Sequence, residues 1–173
     1  SKENIQFYTD ARTREDLENL INWTGLENIR VNNILPDRSK SHSKSLNLDI
    51  NWVDSYCDGI INYYDYFIVL GGDDLSEYYS KEVLVGELYK INKIAERIPV
   101  VLIGQTIGPF TEWRKGYAAN KLKNCKVYTR DLLTYNYLTK ELKLNKVEQS
   151  ADLAFIELPM QKEYSLDSIY KKH

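Results

Sequence analysis

Residues able to bind anions and hydroxyl groups stand in four short clusters along the chain. In chain order they are Gly71-Gly72-Asp73-Asp74, Gly104-Gln105-Thr106-Ile107-Gly108, Arg130-Asp131 and Asp152. Glycines let a backbone turn sharply and approach a ligand closely, and backbone N–H groups there can hold a phosphate or sugar oxygen. An arginine fork suits carboxylate or phosphate. The combination predicts a site for an anionic or hydroxyl-rich small molecule.

Each cluster also has an explanation in packing alone. The first glycine pair would equally serve a tight strand-to-loop turn. Asp131 is placed to cap the helix that follows it, and Asp152 has the position of an ordinary turn residue. Gln105 and Thr106, between an apolar strand and a helix, are the hardest to explain by packing because they offer neutral donors and acceptors.

The elements that must position these clusters are apolar runs alternating with helical patterns. Residues 66–70 (YFIVL) and 99–103 (PVVLI) are continuously apolar, which is typical of strands buried on both faces of a parallel sheet. Further strands are predicted at residues 5–9, 29–35, 127–129 and 147–150, and helices at 13–23, 46–63, 82–97, 112–123 and 132–142. This alternation predicts an α/β, Rossmann-like fold with a doubly wound parallel sheet, in which YFIVL and PVVLI are adjacent central strands.

All four clusters follow predicted strands directly. Ligands of open parallel sheets bind at the carboxyl ends of the strands. We therefore expect Gly72, Gly104, Arg130 and Asp152 to converge on one edge of the sheet.

Composition excludes several classes of function. The length of 173 residues suits one domain, and a net charge of -2 with a pI of about 5.8 disfavours a nucleic-acid surface. No apolar run approaches the roughly 18 residues that span a bilayer, and the first residues lack a signal pattern, so a cytoplasmic protein without an integral membrane segment is expected. Cys57 and Cys125 are isolated and are expected to be buried, reduced thiols. His42 and His173 provide no pair, so no metal site is expected.

The four clusters, in this order, resemble those of the bacterial polysaccharide pyruvyltransferase family. The matching segments are YFIVLGGDDL, GQTIGPF, YTRDLLTYNYL and SADLAFIELP, between Tyr66 and Pro159. The resemblance implies one half of a GT-B-like, two-domain arrangement, with a Rossmann-like domain over residues 1–158 and a tail or linker over 159–173. The family's first strand with its G-N-x-G-D-like loop, and its second half with an R-L-H motif, have no counterpart here. A partial, inactive fragment is therefore expected.

The resemblance also implies an activity, in which pyruvate moves from phosphoenolpyruvate onto two hydroxyls of one sugar to form a cyclic ketal. Such transferases serve exopolysaccharide biosynthesis in the cell envelope, and the acceptor is a glycan or a lipid-linked sugar. No cofactor is implied beyond the donor substrate, and a homo-oligomer is compatible with the sequence. Arg130, as an anion clamp, and Asp152 are the implied catalytic residues, while the general acid is expected on the missing half. The implied substrate-binding residues are Gly71, Gly72, Asp73, Asp74, Gly104, Gln105, Thr106, Gly108 and Asp131.

Two other functions fit a Rossmann-like half. One is a GT-B-type glycosyltransferase that uses a nucleotide sugar, although the sequence shows no clear ribose-binding acid after a strand and no basic groove. The other is a non-catalytic glycan-binding module that has kept the fold. Binding of phosphoenolpyruvate, compared with binding of a nucleotide sugar, would separate the three.

Overall fold

The computed structural model describes residues 7–9, 18, 19, 22, 29–31, 50–78 and 81–153. The chain divides into two compact units, Ser1–Asn47 and Leu48–His173. In the first unit, strands β1 (Phe7–Thr9) and β2 (Ile29–Val31) pair in parallel. Residues 18, 19 and 22, between these strands in sequence, are helical, as the sequence predicts. The tail or linker expected over residues 159–173 lies outside the described residues.

The second unit contains a four-stranded, entirely parallel sheet. Its strands follow one another in space as in sequence: β3 (Phe67–Leu75), β4 (Val100–Ile107), β5 (Lys126–Thr129) and β6 (Val147–Gln149). Its helices are α1 (Ile50–Tyr63), α2 (Lys81–Ala95), α3 (Glu112–Leu122) and α4 (Leu132–Asn136), and α4 continues into a π-helical turn (Tyr137–Glu141). The predicted α/β, Rossmann-like fold class is confirmed.

The core lies between one face of this sheet and the helices. Strand residues that share this face are buried, and the helices contribute aliphatic side chains at helical spacing; among them are Val100, Leu102, Val127, Val147, Leu84, Leu88, Ile91, Ile94, Leu122 and Leu138. Burying one such side chain stabilises the fold by about 1.5–3 kcal/mol. Cys57 and Cys125 are buried in this core as expected, and burial raises the pKa of the first thiol to about 11 and of the second to about 12.

For YFIVL, the structure confirms the predicted pairing but not the predicted central position. Its strand, β3, pairs in parallel with β4, as predicted. However, β3 is the edge strand of the four-stranded sheet, and Ile68 and Leu70 are 53% and 57% exposed. The expectation of a central strand buried on both faces is therefore wrong for β3 within this sheet. β4, which carries PVVLI, does lie between two strands. An apolar run alone does not reveal which faces of a strand its neighbours cover.

Three of the four glycines in the first two clusters lie inside strands rather than after them, which corrects the predicted strand ends. β3 continues through Gly71 and Gly72 to Leu75, and β4 continues through Gly104 to Ile107. The pairing register shifts between Gly72 and Leu75 and again across Gly104. All three glycines have positive φ angles, which only glycine adopts readily. They bend the strands by irregularities of the β-bulge kind and so shape the carboxyl edge of the sheet.

Tyrosines and lysines join neighbouring helices across the outer side of the helical layer. Lys90 of α2 lies over the ring of Tyr56 on α1, and Lys121 of α3 lies over the rings of Tyr89 and Tyr117. Tyr89 also donates a hydrogen bond of 3.0 Å to Asp54 on α1. Cation–π contacts at such partly exposed places contribute about 0.5–1 kcal/mol each. These contacts give Tyr56, Tyr89 and Tyr117 a role in packing.

No helix among the described residues is long and apolar enough to cross a membrane.

Candidate active site at the carboxyl edge of the sheet

Arg130 is the centre of a hydrogen-bonded group at the carboxyl ends of β4, β5 and β6. It directly follows β5, and its Nε donates a hydrogen bond of 2.7 Å to Thr106 Oγ1 near the end of β4. Its Nη1 lies 3.2 Å from Asp152 Oδ2, just beyond β6. The side chains of Arg130 and Asp152 are 29% and 33% exposed. The guanidinium is therefore held at two of its nitrogens and still reaches solvent.

Asp131 caps the N-terminus of helix α4, as its position in the sequence predicts. Its Oδ1 accepts a hydrogen bond of 2.6 Å from the backbone N–H of Thr134, and its Oδ2 accepts one of 2.9 Å from the Thr134 hydroxyl. Oδ2 also accepts a hydrogen bond of 3.2 Å from the Thr106 hydroxyl. Burial raises the pKa of Asp131, but these hydrogen bonds outweigh burial, so its pKa lies below the usual value. The carboxylate stays ionised and links α4 to β4.

Gly71 and Gly104 bring two strands against Leu153 rather than against open space. A Cβ at Gly104 would lie 2.9 Å from Leu153 Cγ, and one at Gly71 would lie 3.7 Å from Leu153 Cδ1. Gln105, which is buried, donates a hydrogen bond of 3.2 Å from its amide to the carbonyl of Gly71. The segment after β6 thus crosses the carboxyl edge of the sheet as far as β4 and β3. The close backbone approach expected at these glycines is made to the chain's own leucine.

The end of β4 is held to its surroundings by its backbone. The N–H of Gly108 donates a hydrogen bond of 2.9 Å to the carbonyl of Leu75, and the N–H of Phe110 donates one of 2.9 Å to the hydroxyl of Tyr137. Gly108 has a φ of +79°, and a Cβ there would lie 2.6 Å from the Tyr137 ring. The peptide bond between Gly108 and Pro109 is cis. Glycine at 108 is therefore required by the packing of Tyr137.

An ion pair of low exposure ties α3 to the residues that follow β3. Glu77 Oε1 accepts hydrogen bonds of 2.8 Å from Arg114 Nε and 2.7 Å from the backbone N–H of Thr111. The side chains of Arg114 and Glu77 are 7% and 12% exposed. The hydrogen bonds from Arg114, followed by those from Thr111, lower the pKa of Glu77 to about 2, although burial opposes them. This pair stabilises the loop between β4 and α3.

The expected juxtaposition of the clusters is present in the structure. Gly72 is in register with Gln105, which is itself in register with Thr129, directly before Arg130. Asp73 is partly buried near this edge, and Asp74 is exposed. Strand register and hydrogen bonds thus connect members of all four clusters at this edge, and the roles of the predicted site residues toward a substrate remain predictions. Within the described ranges, no three His, Cys, Asp or Glu side chains are grouped so as to hold a metal ion.

Four residues that shape this edge were not singled out from the sequence: Glu77, Arg114, Tyr137 and Leu153. The first two face each other across a sequence separation of 37, and neither lies in a local pattern that would pair them. Leu153 stands within the segment SADLAF, where only the aspartate was given a role. Its role depends on its contact with Gly71 and Gly104, which the sequence alone does not show.

Comparison with known proteins places the chain in a family. No curated protein and no solved structure matches the chain significantly. A family model described as polysaccharide pyruvyl transferase matches residues 10–172, nearly the full length. The matched range includes all four clusters at the carboxyl edge of the sheet. The chain therefore belongs to the polysaccharide pyruvyl transferase family, a family of transferases.

Proposed function

We propose that this edge of the sheet binds phosphoenolpyruvate and serves the transfer of its pyruvyl group onto a sugar of a cell-surface polysaccharide. The single observation that carries the proposal is Arg130. Its guanidinium is fixed by Thr106 and Asp152 at the carboxyl edge of a parallel sheet and remains 29% exposed. A guanidinium held in this way is suited to a carboxylate or phosphate group.

The chemistry sets the tasks of the site. Protonation of C3 of the enol leaves an electrophilic C2, which one sugar hydroxyl attacks with loss of its proton. Phosphate departs with the electrons of the C2–O bond, and a second hydroxyl of the same sugar closes the ketal ring with loss of its proton. Arg130 would hold negative charge of the donor throughout, since fixed cationic groups stabilise the charge that develops on a leaving phosphate.

Asp152 is the described carboxylate nearest to this clamp. Its Oδ2 lies 3.2 Å from Arg130 Nη1 and its side chain is 33% exposed. We propose that it orients a sugar hydroxyl next to the bound donor, since an ionised carboxylate accepts hydrogen bonds. Asp73 and Asp74 at the end of β3 are proposed to contact the acceptor sugar farther from the clamp. None of the described residues is assigned as the acid that protonates C3.

Phosphate release from phosphoenolpyruvate is the assay, with a panel of acceptors that contain galactose, mannose and N-acetylmannosamine. We expect Arg130→Ala to abolish turnover, or, if the chain only binds, to weaken phosphoenolpyruvate binding about tenfold or more, the effect of losing a charge-assisted hydrogen bond. Arg97→Ala is the matched control, because Arg97 is exposed in the turn after α2. Equal affinity of Arg130→Ala and the wild type would contradict the proposal, and tighter binding of a nucleotide sugar would favour a glycosyltransferase.

A further inference from the structure

Arg130 is a long side chain whose orientation depends on very few contacts. Among the described residues, its side chain is hydrogen-bonded to the Thr106 hydroxyl at Nε and to the Asp152 carboxylate at Nη1. A flexible arginine loses substantial side-chain entropy when it is fixed, so an arginine ordered in advance binds an anion more tightly. Because Asp152 is also proposed to contact the acceptor sugar, a second group is needed to keep the guanidinium in one orientation.

The hydroxyl of Thr106 has a defined polarity. It carries one hydrogen to donate and two lone pairs to accept with. An ionised Asp131 can only accept, so the Thr106 hydrogen points toward Asp131 Oδ2, 3.2 Å away. The lone pairs of the same oxygen are then directed to Arg130 Nε at 2.7 Å. Asp131 is itself fixed at both of its oxygens by Thr134 in the first turn of α4.

These contacts form a chain from the helix terminus to the guanidinium. We infer that Thr106, held by Asp131, is a positioning residue that keeps Arg130 oriented toward the donor. The inference rests on the proposed function of Arg130 as the anion clamp, and it assigns to Asp131 a second task beyond capping α4. Nε is the suitable atom for this contact, because a hydrogen bond there fixes the plane of the guanidinium and leaves Nη2 for the ligand.

The two partners of Arg130, Thr106 and Asp152, differ in charge. The Asp152 carboxylate carries a negative charge that repels an incoming anion. The Thr106 hydroxyl is neutral and is not repelled in this way. It is therefore the partner that holds the guanidinium without opposing the binding of an anion.

The test uses the full chain, two substitutions of Thr106 and one control substitution elsewhere. Thr106→Val removes the hydroxyl at nearly constant volume, and Thr106→Ser retains it. Thr139→Val is the matched control, because the Thr139 hydroxyl donates its hydrogen bond to the Tyr135 carbonyl within the helix rather than to a residue of the Arg130 group. The first measurement is NMR relaxation of the Arg130 Nε–Hε group, identified by its loss in Arg130→Lys. The second is the affinity for phosphoenolpyruvate by titration calorimetry.

In Thr106→Val we expect the order parameter of this group to fall from near the rigid value of about 0.85 to below about 0.6. We expect affinity for phosphoenolpyruvate to fall about three- to tenfold, the scale of ordering one long side chain. Thr106→Ser and Thr139→Val should stay close to the wild type in both measurements. In the Arg130→Lys background, Thr106→Val should have no further effect on affinity, because the residue through which it acts is gone.

An unchanged order parameter in Thr106→Val overturns the inference, as does an equal loss of affinity in the Arg130→Lys background. The proposed function fails separately, if the wild type does not bind phosphoenolpyruvate or if Arg130→Ala binds it normally. The relaxation measurement still decides the positioning role in that case, because it needs no ligand.

Discussion

A double-substitution cycle at Gly104 and Leu153 tests how the carboxyl edge of the sheet is built. Gly104 has a φ of +68°, a conformation that costs a residue with a side chain about 1–2 kcal/mol. A Cβ there would also lie 2.9 Å from Leu153 Cγ and 3.2 Å from its Cδ1, and overpacking of this kind costs about 1–3 kcal/mol. Gly104→Ala should therefore destabilise the fold by about 2–5 kcal/mol.

The two contributions separate when Leu153 is shortened. Leu153→Ala should by itself cost about 1–2 kcal/mol, less than a fully buried leucine, because Leu153 is only partly buried. In the double variant the clash disappears and only the backbone strain remains, since the nearest remaining Leu153 atom, its N, is at an ordinary 3.6 Å. The double variant should thus be about 1–3 kcal/mol more stable than the sum of the two single changes predicts.

Equilibrium unfolding in urea, followed by circular dichroism, gives the four free energies of unfolding. Gly116→Ala is the control, because Gly116 lies in α3 with nothing within 4 Å of an added Cβ. It should stabilise the protein by about 0.5–1 kcal/mol. If the costs of Gly104→Ala and Leu153→Ala add within about 0.5 kcal/mol, Leu153 does not occupy the space above Gly104 and the described packing is wrong.

Three further outcomes follow from buried or partly buried ionisable groups. Glu77→Gln should cost about 2–4 kcal/mol in thermal unfolding, because it leaves the buried Arg114 with only the exposed Glu112 as a charged partner, whereas Glu112→Gln should change stability by less than about 0.5 kcal/mol. The pKa of Glu77 is lowered to about 2 from 4.5, so its contribution to stability is complete above about pH 5 and is lost as the pH falls toward 2. Urea unfolding at several pH values should show this loss in the wild type, and its persistence in Glu77→Gln would contradict the assignment. Cys57 and Cys125, with pKa values of about 11 and about 12, should react with a thiol reagent at pH 8 only after unfolding, and rapid labelling of the native protein would refute their burial.

Much of the architecture could be predicted from the sequence, because local patterns determine it. Helical spacing of apolar residues located α1 to α3 within a few residues, and strand order placed Arg130 and Asp152 at the same edge. The capping role of Asp131 was likewise foreseeable, since an aspartate before a helix has few other local partners. These features follow from patterns within single segments and from the order of the segments along the chain, so the sequence alone predicts them.

The remainder depends on partners far along the chain. That β3 passes through Gly71 and Gly72 as a strand follows from its pairing with β4, which no segment of β3 reveals by itself. The exposure of Ile68 reflects the edge position of its strand rather than its own chemistry. The pairing of Glu77 with Arg114 is likewise a result of how α3 packs against the end of β3.

The strands of the larger unit lie in space in the same order in which they occur in the chain. Each strand therefore pairs with the one made just before it, so the sheet can be extended strand by strand as the polypeptide leaves the ribosome. Pairing strands that are consecutive in the chain also closes shorter loops, and so loses less loop entropy, than pairing strands farther apart in the chain would. Asp152 and Leu153 are the exceptions. They follow the last strand, β6, but Asp152 contacts Arg130 and Leu153 contacts the glycines of β3 and β4. We expect the framework around the candidate site to be assembled first, and the site itself to close only when this final segment has been synthesised.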